Sequence, residues 1–435
     1  PFDLRVNSGG ISGAGYGFLA LPDQEGQFNV HLHWDLGQME PGSTGWTSLG
    51  EGDVETVCPI ERVFSSYFMA GRLGRYPEKG DINGFSSAWL GTPPFDAQEV
   101  MAWSAKSFTS SKSFFRDTSK DPYRFFMRVG PDNNGVGGAG LYNSFMLFVP
   151  VEAELTEGAR GTIAHEMIHK WVGGIKGSPG ETFWFSEGLT VHYTRLLTFR
   201  AGLFSADEFL EDANGTAARY FTNPLRNLPN DEIEKNFWQD RNAQVIPYDR
   251  GSLYLAHVDA KIRAASKGKR SLDDVTLTMF DRRRNGEETT KEMWLELLEK
   301  ELGPSALAEF DAVIIRGEDF VPDSGAFGPC FERIAAKLRV LELGFDQRKS
   351  LYTSDKRLTG LVKGSAAERA GLRNGDQVLN KIDHRALRND ENLLLKLKVR
   401  RGDETLEIEY LPRGESVDGY KWVRIPGVPD ADCRY

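Results

Sequence analysis

The stretch Thr162-Ile163-Ala164-His165-Glu166-Met167-Ile168-His169 constrains this chain more than any other. Apolar residues recur around it at Ile163, Met167 and Trp171 and at Ala164, Ile168 and Val172, a spacing that predicts a helix. Gly173-Gly174 supplies a stop signal. On a helix, residues i and i+4 stand one above the other, so His165 and His169 can grip one metal ion from one face. Neutral imidazoles suit zinc. Glu166 would stand beside the metal's open position, where a carboxylate can take a proton from water. The plainer reading is a buried helix whose two histidines hydrogen-bond locally. Histidine is scarce, at seven in 435 residues, so two at this spacing with Glu between them favour the metal.

A third ligand separates these readings, because catalytic zinc typically takes three protein ligands and keeps one position open. Glu187 lies eighteen positions beyond His169, within Phe183-Trp184-Phe185-Ser186-Glu187-Gly188-Leu189. It is expected to open a second helix, with Leu189, Tyr193, Leu196 and Leu197 on one side and Ala201-Gly202 as the stop. Two antiparallel helices joined by a short loop would bring Glu187 to the histidines and complete a Zn2+ site. A structural Glu187 would instead interact with its helix dipole from the first turn.

Length allows two to four domains and a large core. Lys+Arg 53 against Asp+Glu 63 gives a net charge of −10, and no basic run occurs, which argues against a nucleic-acid partner. No apolar run approaches the ~20 residues that span a bilayer. The chain starts with Pro1 and shows no signal peptide, so the compartment is unknown and export to a periplasm or the exterior stays open. Cys58 stands alone. Cys330 and Cys433 flank the C-terminal module, either as a disulfide in an oxidising compartment or as two free thiols.

Residues 1–60 are rich in glycine. Within them Phe28 to Leu36 alternates as a strand that puts His31 and His33 on one face. With no carboxylate or cysteine cluster evident beside them, these read as outward-facing polar residues. Runs between Val63 and Leu90 suggest strands. Asp96-Ala97-Gln98-Glu99 reads as a capping box that starts a helix running to about Phe115. Tyr123 to Val129 reads as a strand, and the glycine-rich stretch 135–144 leads into another at Phe145 to Val149. Residues 203–245 look helical, Tyr248-Asp249-Arg250-Gly251 precedes a helix from Ser252 to Ala265, and 271–322 look helical again. From about Phe331 the pattern becomes a small α/β unit.

H-E-x-x-H followed by Trp184-Phe185-Ser186-Glu187-Gly188-Leu189 resembles the gluzincin metallopeptidases, and within them the glycyl aminopeptidase family. Tyr248 to Gly251, His257 to Arg263 and Ser271 to Val275 match further, so the resemblance runs from about residue 60 to the end. It implies an α+β multidomain protein: the remainder of an N-terminal β-rich domain at 1–60, a thermolysin-like catalytic domain with a helical subdomain at 61–325, and a PDZ domain at 330–425. It implies zinc-dependent hydrolysis of peptides through a metal-activated water, with aminopeptidase action on N-terminal residues as the leading reading. His165, His169 and Glu187 would hold Zn2+ and Glu166 would act as general base. Tyr248, sixty-one positions past Glu187, stands where the family places a donor to the oxyanion.

The family also implies a glycine-rich edge strand for substrate backbone, here Gly138, Gly140, Tyr142 and Asn143. In related aminopeptidases a Glu on that strand holds the free amino group. If Leu141 takes the apolar position, Tyr142 replaces that Glu, and a neutral phenol does not offset an ammonium. Endopeptidase or other hydrolase action on the same zinc site therefore stays open, as does peptide capture on an inactive scaffold. In the C-terminal module, Leu343-Gly344-Phe345 resembles the end of the PDZ carboxylate loop, and Thr359 to Leu379 is close to the bacterial PDZ pattern. Asn389 to Lys398 is expected as the second helix, lining a groove for a peptide or a C-terminus. The alternative is a structural appendage that binds nothing.

Overall fold

The computed structural model describes residues 4–7, 9–130, 137–151, 157–351, 353 and 355–435. Gly135 and Val136 of the glycine-rich stretch lie outside them. The chain divides into two compact units, residues 1–173 with 196–203, and residues 174–195 with 204–435.

A five-stranded sheet organises the first unit. Its strands are β1 (Gly74–Tyr76), β2 (Phe85–Leu90), β3 (Tyr123–Gly130), β4 (Gly137–Leu141) and β5 (Ser144–Pro150), in the order β4-β5-β3-β2-β1. β2 and β5 run parallel to β3, while β4 and β1 close the two edges antiparallel. Every residue of β5 is buried, which is why its sequence is a continuous apolar run rather than an alternating one. A second sheet of four short strands meets this one through a core in which Trp46, Tyr67 and Met69 join Leu90, Phe126, Met146 and Phe148. Helix α1 (Ala97–Phe114) starts where expected, because the Asp96 carboxylate accepts from the backbone N–H groups of Gln98 and Glu99. Helix α2 (Glu157–Val172) carries the histidine motif.

The expected strand Phe28 to Leu36 is shorter, Phe28–Leu32, and pairs antiparallel with Val54–Cys58. That pairing sets Glu55 3.3 Å from His31, and Asp53 lies 2.6 Å from His33. The two histidines do have carboxylate partners, contrary to the sequence reading. Both contacts are exposed, and the partners were hidden because they lie about twenty residues further along the chain.

The second unit is mainly helical. It contains most of α3 (Pro179–Arg200), then α4 (Ala206–Thr222), α5 (Arg241–Ala265) and further helices at Leu272–Arg284, Lys291–Leu302 and Ser305–Phe310. α5 begins well before the expected Ser252. Asp240 caps it, Ala243 and Ile246 bury its first turns, and Pro247 is accommodated inside. Pro247 lies past the first turn and removes one backbone hydrogen bond, a cost offset by the buried residues around it. Among the described residues no helix is long and apolar enough to cross a membrane.

The same unit ends in strands β6 (Phe331–Leu341), β7 (Gln377–Val378), β8 (Leu395–Arg401), β9 (Glu404–Tyr410) and β10 (Arg413–Arg424). β6 pairs with β10, and β7, β8 and β9 form a three-stranded sheet. The helix expected over Asn389 to Lys398 is not formed. A short helix ends at Asn389, the Asp390 side chain takes the Asn392 N–H in a turn, and β8 comes next with Leu395, Leu397 and Val399 inward. That alternation has period two, which a helix cannot satisfy. Leu343 and Phe345 are buried in this module's core, and Gly344 sits at φ +79°. After the Leu-Gly-Phe turn the chain enters a helix at Gln347–Leu351, with the Asp346 carboxylate accepting from Lys349 N–H. Cys330 and Cys433 are joined by a disulfide.

Candidate metal centre and adjoining cleft

The apolar set predicted on α2 is buried in full: Ile163, Ala164, Met167, Ile168, Trp171 and Val172. Trp171 fixes the rotation of the helix. Its ring lies 5.3 Å from those of Phe115 and Phe108, and its indole N–H donates to Asp117 at 2.9 Å. Burial alone would raise the Asp117 pKa, but hydrogen bonds from Ser119 and Trp171 and the charge of Lys170 outweigh it and hold the carboxyl below its ordinary range. With that face anchored, His165, Glu166 and His169 stay half-buried on the other. The two Nε2 atoms lie 3.1 Å apart, so both imidazoles present the same nitrogen to one point. Gly173, at φ +58°, ends the helix as expected.

Glu187 does not open α3. The helix starts two turns earlier at Pro179, where Glu181 accepts the Ser178 backbone N–H, so Glu187 lies outside the first turn in which a dipole interaction would act. Just after it, α3 crosses α5 with glycine on glycine. A Cβ on Gly188 would meet the Gly251 Cα and C at 2.8 Å, and one on Gly251 would meet the Trp184 carbonyl oxygen at 2.6 Å. Tyr248 stands one turn before that crossing, against an apolar cluster of Ile233, Phe237 and Ile246. His165 and His169 offer two imidazole nitrogens from the first unit, and Glu187 offers a carboxylate from the second. Two imidazoles and a carboxylate are a donor set suited to zinc, and the residues fit such an ion.

A cleft of ≈ 370 Å³ adjoins the histidines, lined by Tyr123, Gly140, Leu141, Asn143, Ser144, Glu166, His169 and Lys170. Gly140 matters by what it lacks, since a Cβ there would lie 3.5 Å from Glu166 Oε2. Tyr123 donates its hydroxyl to the Glu166 carbonyl oxygen at 3.4 Å. Burial first, and the Glu166 charge second, push that phenol well above its ordinary pKa and keep it a donor. Of the residues expected on the substrate strand, Gly140 and Asn143 line the cleft. Tyr142 instead lies beneath the Arg62 guanidinium, 4.4 Å from its ring centroid, and burial raises its pKa. The Cβ direction of Gly138 is filled by the Phe145 ring at 2.3 Å. Sequence reasoning missed Tyr123 and Lys170. Lys170 directly follows His169, which was a usable signal, whereas Tyr123 is forty-three residues before Glu166 and gave none.

Residues 175–254 match the family model of the M61 glycyl aminopeptidases, a span that includes Glu187 and Tyr248. Among solved structures, the chain is similar to an aminopeptidase N family protein from Idiomarina loihiensis. The two share 17% identity at a TM-score of 0.69, with 99% of this chain and 83% of that one covered. An M1 zinc metallopeptidase from Deinococcus radiodurans matches at 15% identity over 74% of this chain and 72% of that one, with a TM-score of 0.46. No curated protein matches the sequence. The likeness to the Idiomarina protein is one of fold. Taken with the peptidase family match, it makes the chain an enzyme of the metallopeptidase class.

Proposed function

We propose that the chain hydrolyses peptide bonds with a zinc ion held by His165, His169 and Glu187. The observation that carries this reading is the pair of imidazole Nε2 atoms 3.1 Å apart beside Glu166, on a helix whose opposite face is locked in the core. Zinc, when bound, supplies Lewis-acid polarisation of water and of the scissile carbonyl. Glu166 takes the proton from the attacking water and returns it to the leaving amine. Gly140 leaves room for substrate backbone beside that carboxylate. Tyr248 is assigned as the donor to the oxyanion, on its family-like position and its place beside the α3–α5 crossing.

Aminopeptidase action, the activity in the matched family's name, is the leading form of this reading. One observation favours cleavage of bonds without a free amine nearby. Among the described residues lining the cleft, the only carboxylate is Glu166, and it is assigned to the water. The Leu343-Gly344-Phe345 module supports a PDZ-like appendage by sequence motif alone, with a peptide or C-terminus as its proposed ligand. The disulfide at Cys330 and Cys433 supports an oxidising compartment, periplasmic or extracellular.

The test is hydrolysis of an aminoacyl-nitroanilide panel and of N-acetylated peptides, before and after chelation and zinc restoration, by the native chain and by Glu166→Gln. Chelation-sensitive turnover restored by zinc is expected, with the variant retaining zinc and losing about 10²–10⁴ in rate. A zinc-replete variant with near-normal turnover would sink the mechanism. Exclusive use of free amines would establish aminopeptidase action.

A further inference from the structure

We infer that Lys170 and Asn143 form a subsite for a carboxylate of the peptide substrate. The inference rests on the peptidase reading above and adds a substrate class to it. Lys170 lines the cleft together with Asn143, Glu166 and His169, yet its side chain is only 8% exposed. An ammonium has three donors and no acceptor. One Lys170 donor goes to Asn143 Oδ1 at 3.2 Å. Asp117 Oδ2 is 3.9 Å away, beyond hydrogen-bond reach, and already accepts from the Trp171 indole. Among the described residues Lys170 pairs its charge with Asp117 yet has more N–H donors than its hydrogen bonds use, and unmet donors on a nearly buried group are costly.

Asn143 completes the subsite. Because a lysine cannot accept, the amide oxygen of Asn143 must face it, which turns the amide NH₂ the other way as a donor. Its backbone holds the side chain at the tip of the β4–β5 turn with φ +41°, a conformation asparagine tolerates better than most residues. The other hydroxyls of the lining are engaged as donors, Tyr123 to the Glu166 carbonyl and Ser144 to the Tyr142 carbonyl. This end of the cleft therefore offers a cation and an amide donor pair. A substrate carboxylate satisfies both, whereas a substrate ammonium meets a like charge.

The test is calorimetric titration of the zinc-loaded Glu166→Gln protein, in which turnover is suppressed, with four peptides of one core sequence. They are the free acid and the C-terminal amide, each with Gln or Glu at an internal position. Peptides bearing a carboxylate are expected to bind about tenfold tighter or better. Tightening that tracks the free acid assigns the C-terminal carboxylate, and tightening that tracks the internal Glu assigns an acidic side chain. Adding Lys170→Met should erase the preference. Asn143→Asp, which sets a carboxylate beside Lys170, should erase it independently and guards against a folding defect in the first variant. Equal affinities for all four peptides, or a preference unchanged by both substitutions, would overturn the subsite. If the preference is present but the native chain cleaves no peptide, the subsite stands and the peptidase reading fails.

Discussion

Replacing Gly188 by alanine tests how the candidate ligand Glu187 is held. The new Cβ would lie 2.8 Å from two backbone atoms of Gly251 and 3.1 Å from the Ser252 nitrogen. Ordinary carbon contacts need about 3.5 Å or more, so α3 and α5 would have to part by roughly 0.7 Å. Backbone cannot rotate away as a flexible side chain can. Overpacking of this kind costs about 1–3 kcal/mol, and the better helix propensity of alanine returns about 1 kcal/mol. The net loss is up to about 2 kcal/mol, read as a lower urea midpoint at unchanged slope. Because Glu187 adjoins the crossing, zinc affinity should also fall, on the scale of about 10–100-fold seen when ligand support is disturbed. Gly174→Ala is the control, since its Cβ would meet nothing within 4 Å. A Gly188→Ala protein at least as stable as the parent, with unchanged zinc affinity, would refute the argument.

Other substitutions probe other parts. Tyr248→Phe should lower kcat by about 10²–10³ with zinc content unchanged, and normal turnover would remove Tyr248 from the reaction. The Cys330–Cys433 bridge closes a separation of 103 residues, so replacing both cysteines by serine should cost about 4 kcal/mol of unfolding free energy, measured by urea titration under non-reducing conditions. An unchanged midpoint would contradict this. The Glu309 carboxyl is held down to about 2, first by the hydrogen bond from His257 and then by Lys261, against burial that would raise it. His257 Nδ1 accepts the Asp323 N–H, so Nε2 carries the proton donated to Glu309. A depressed carboxyl stabilises the fold above its unfolded pKa of about 4.3, and the stabilisation is lost as pH falls from there through about 2. Native protein should lose stability in that window faster than Glu309→Gln; parallel acid profiles would exclude the linkage.

The helix bearing His165, Glu166 and His169 was fully legible in the sequence, because its apolar positions alone decide which face is buried. So was the α1 cap at Asp96, which depends only on residues within one turn. Elsewhere local signals competed and the environment chose. Leucines at 393–395 with Leu397 and Val399 fit either a helix or a strand until β9 supplies a partner that rewards the alternation. A helix was expected only from Ser252, yet burial of Ala243 and Ile246 carries it back through Pro247 to Arg241.

What the sequence determined by itself is the chemistry available on one helix: a histidine pair at one-turn spacing and an adjoining carboxylate. These arise from helical periodicity, which a chain expresses without knowing its neighbours. What only the tertiary structure decided is how that chemistry is furnished. It packed Arg62 over Tyr142, set Gly188 against Gly251, and stationed Tyr123 beside Glu166. Such juxtapositions join residues tens of positions apart through sheet order and helix crossing, and no local pattern encodes them.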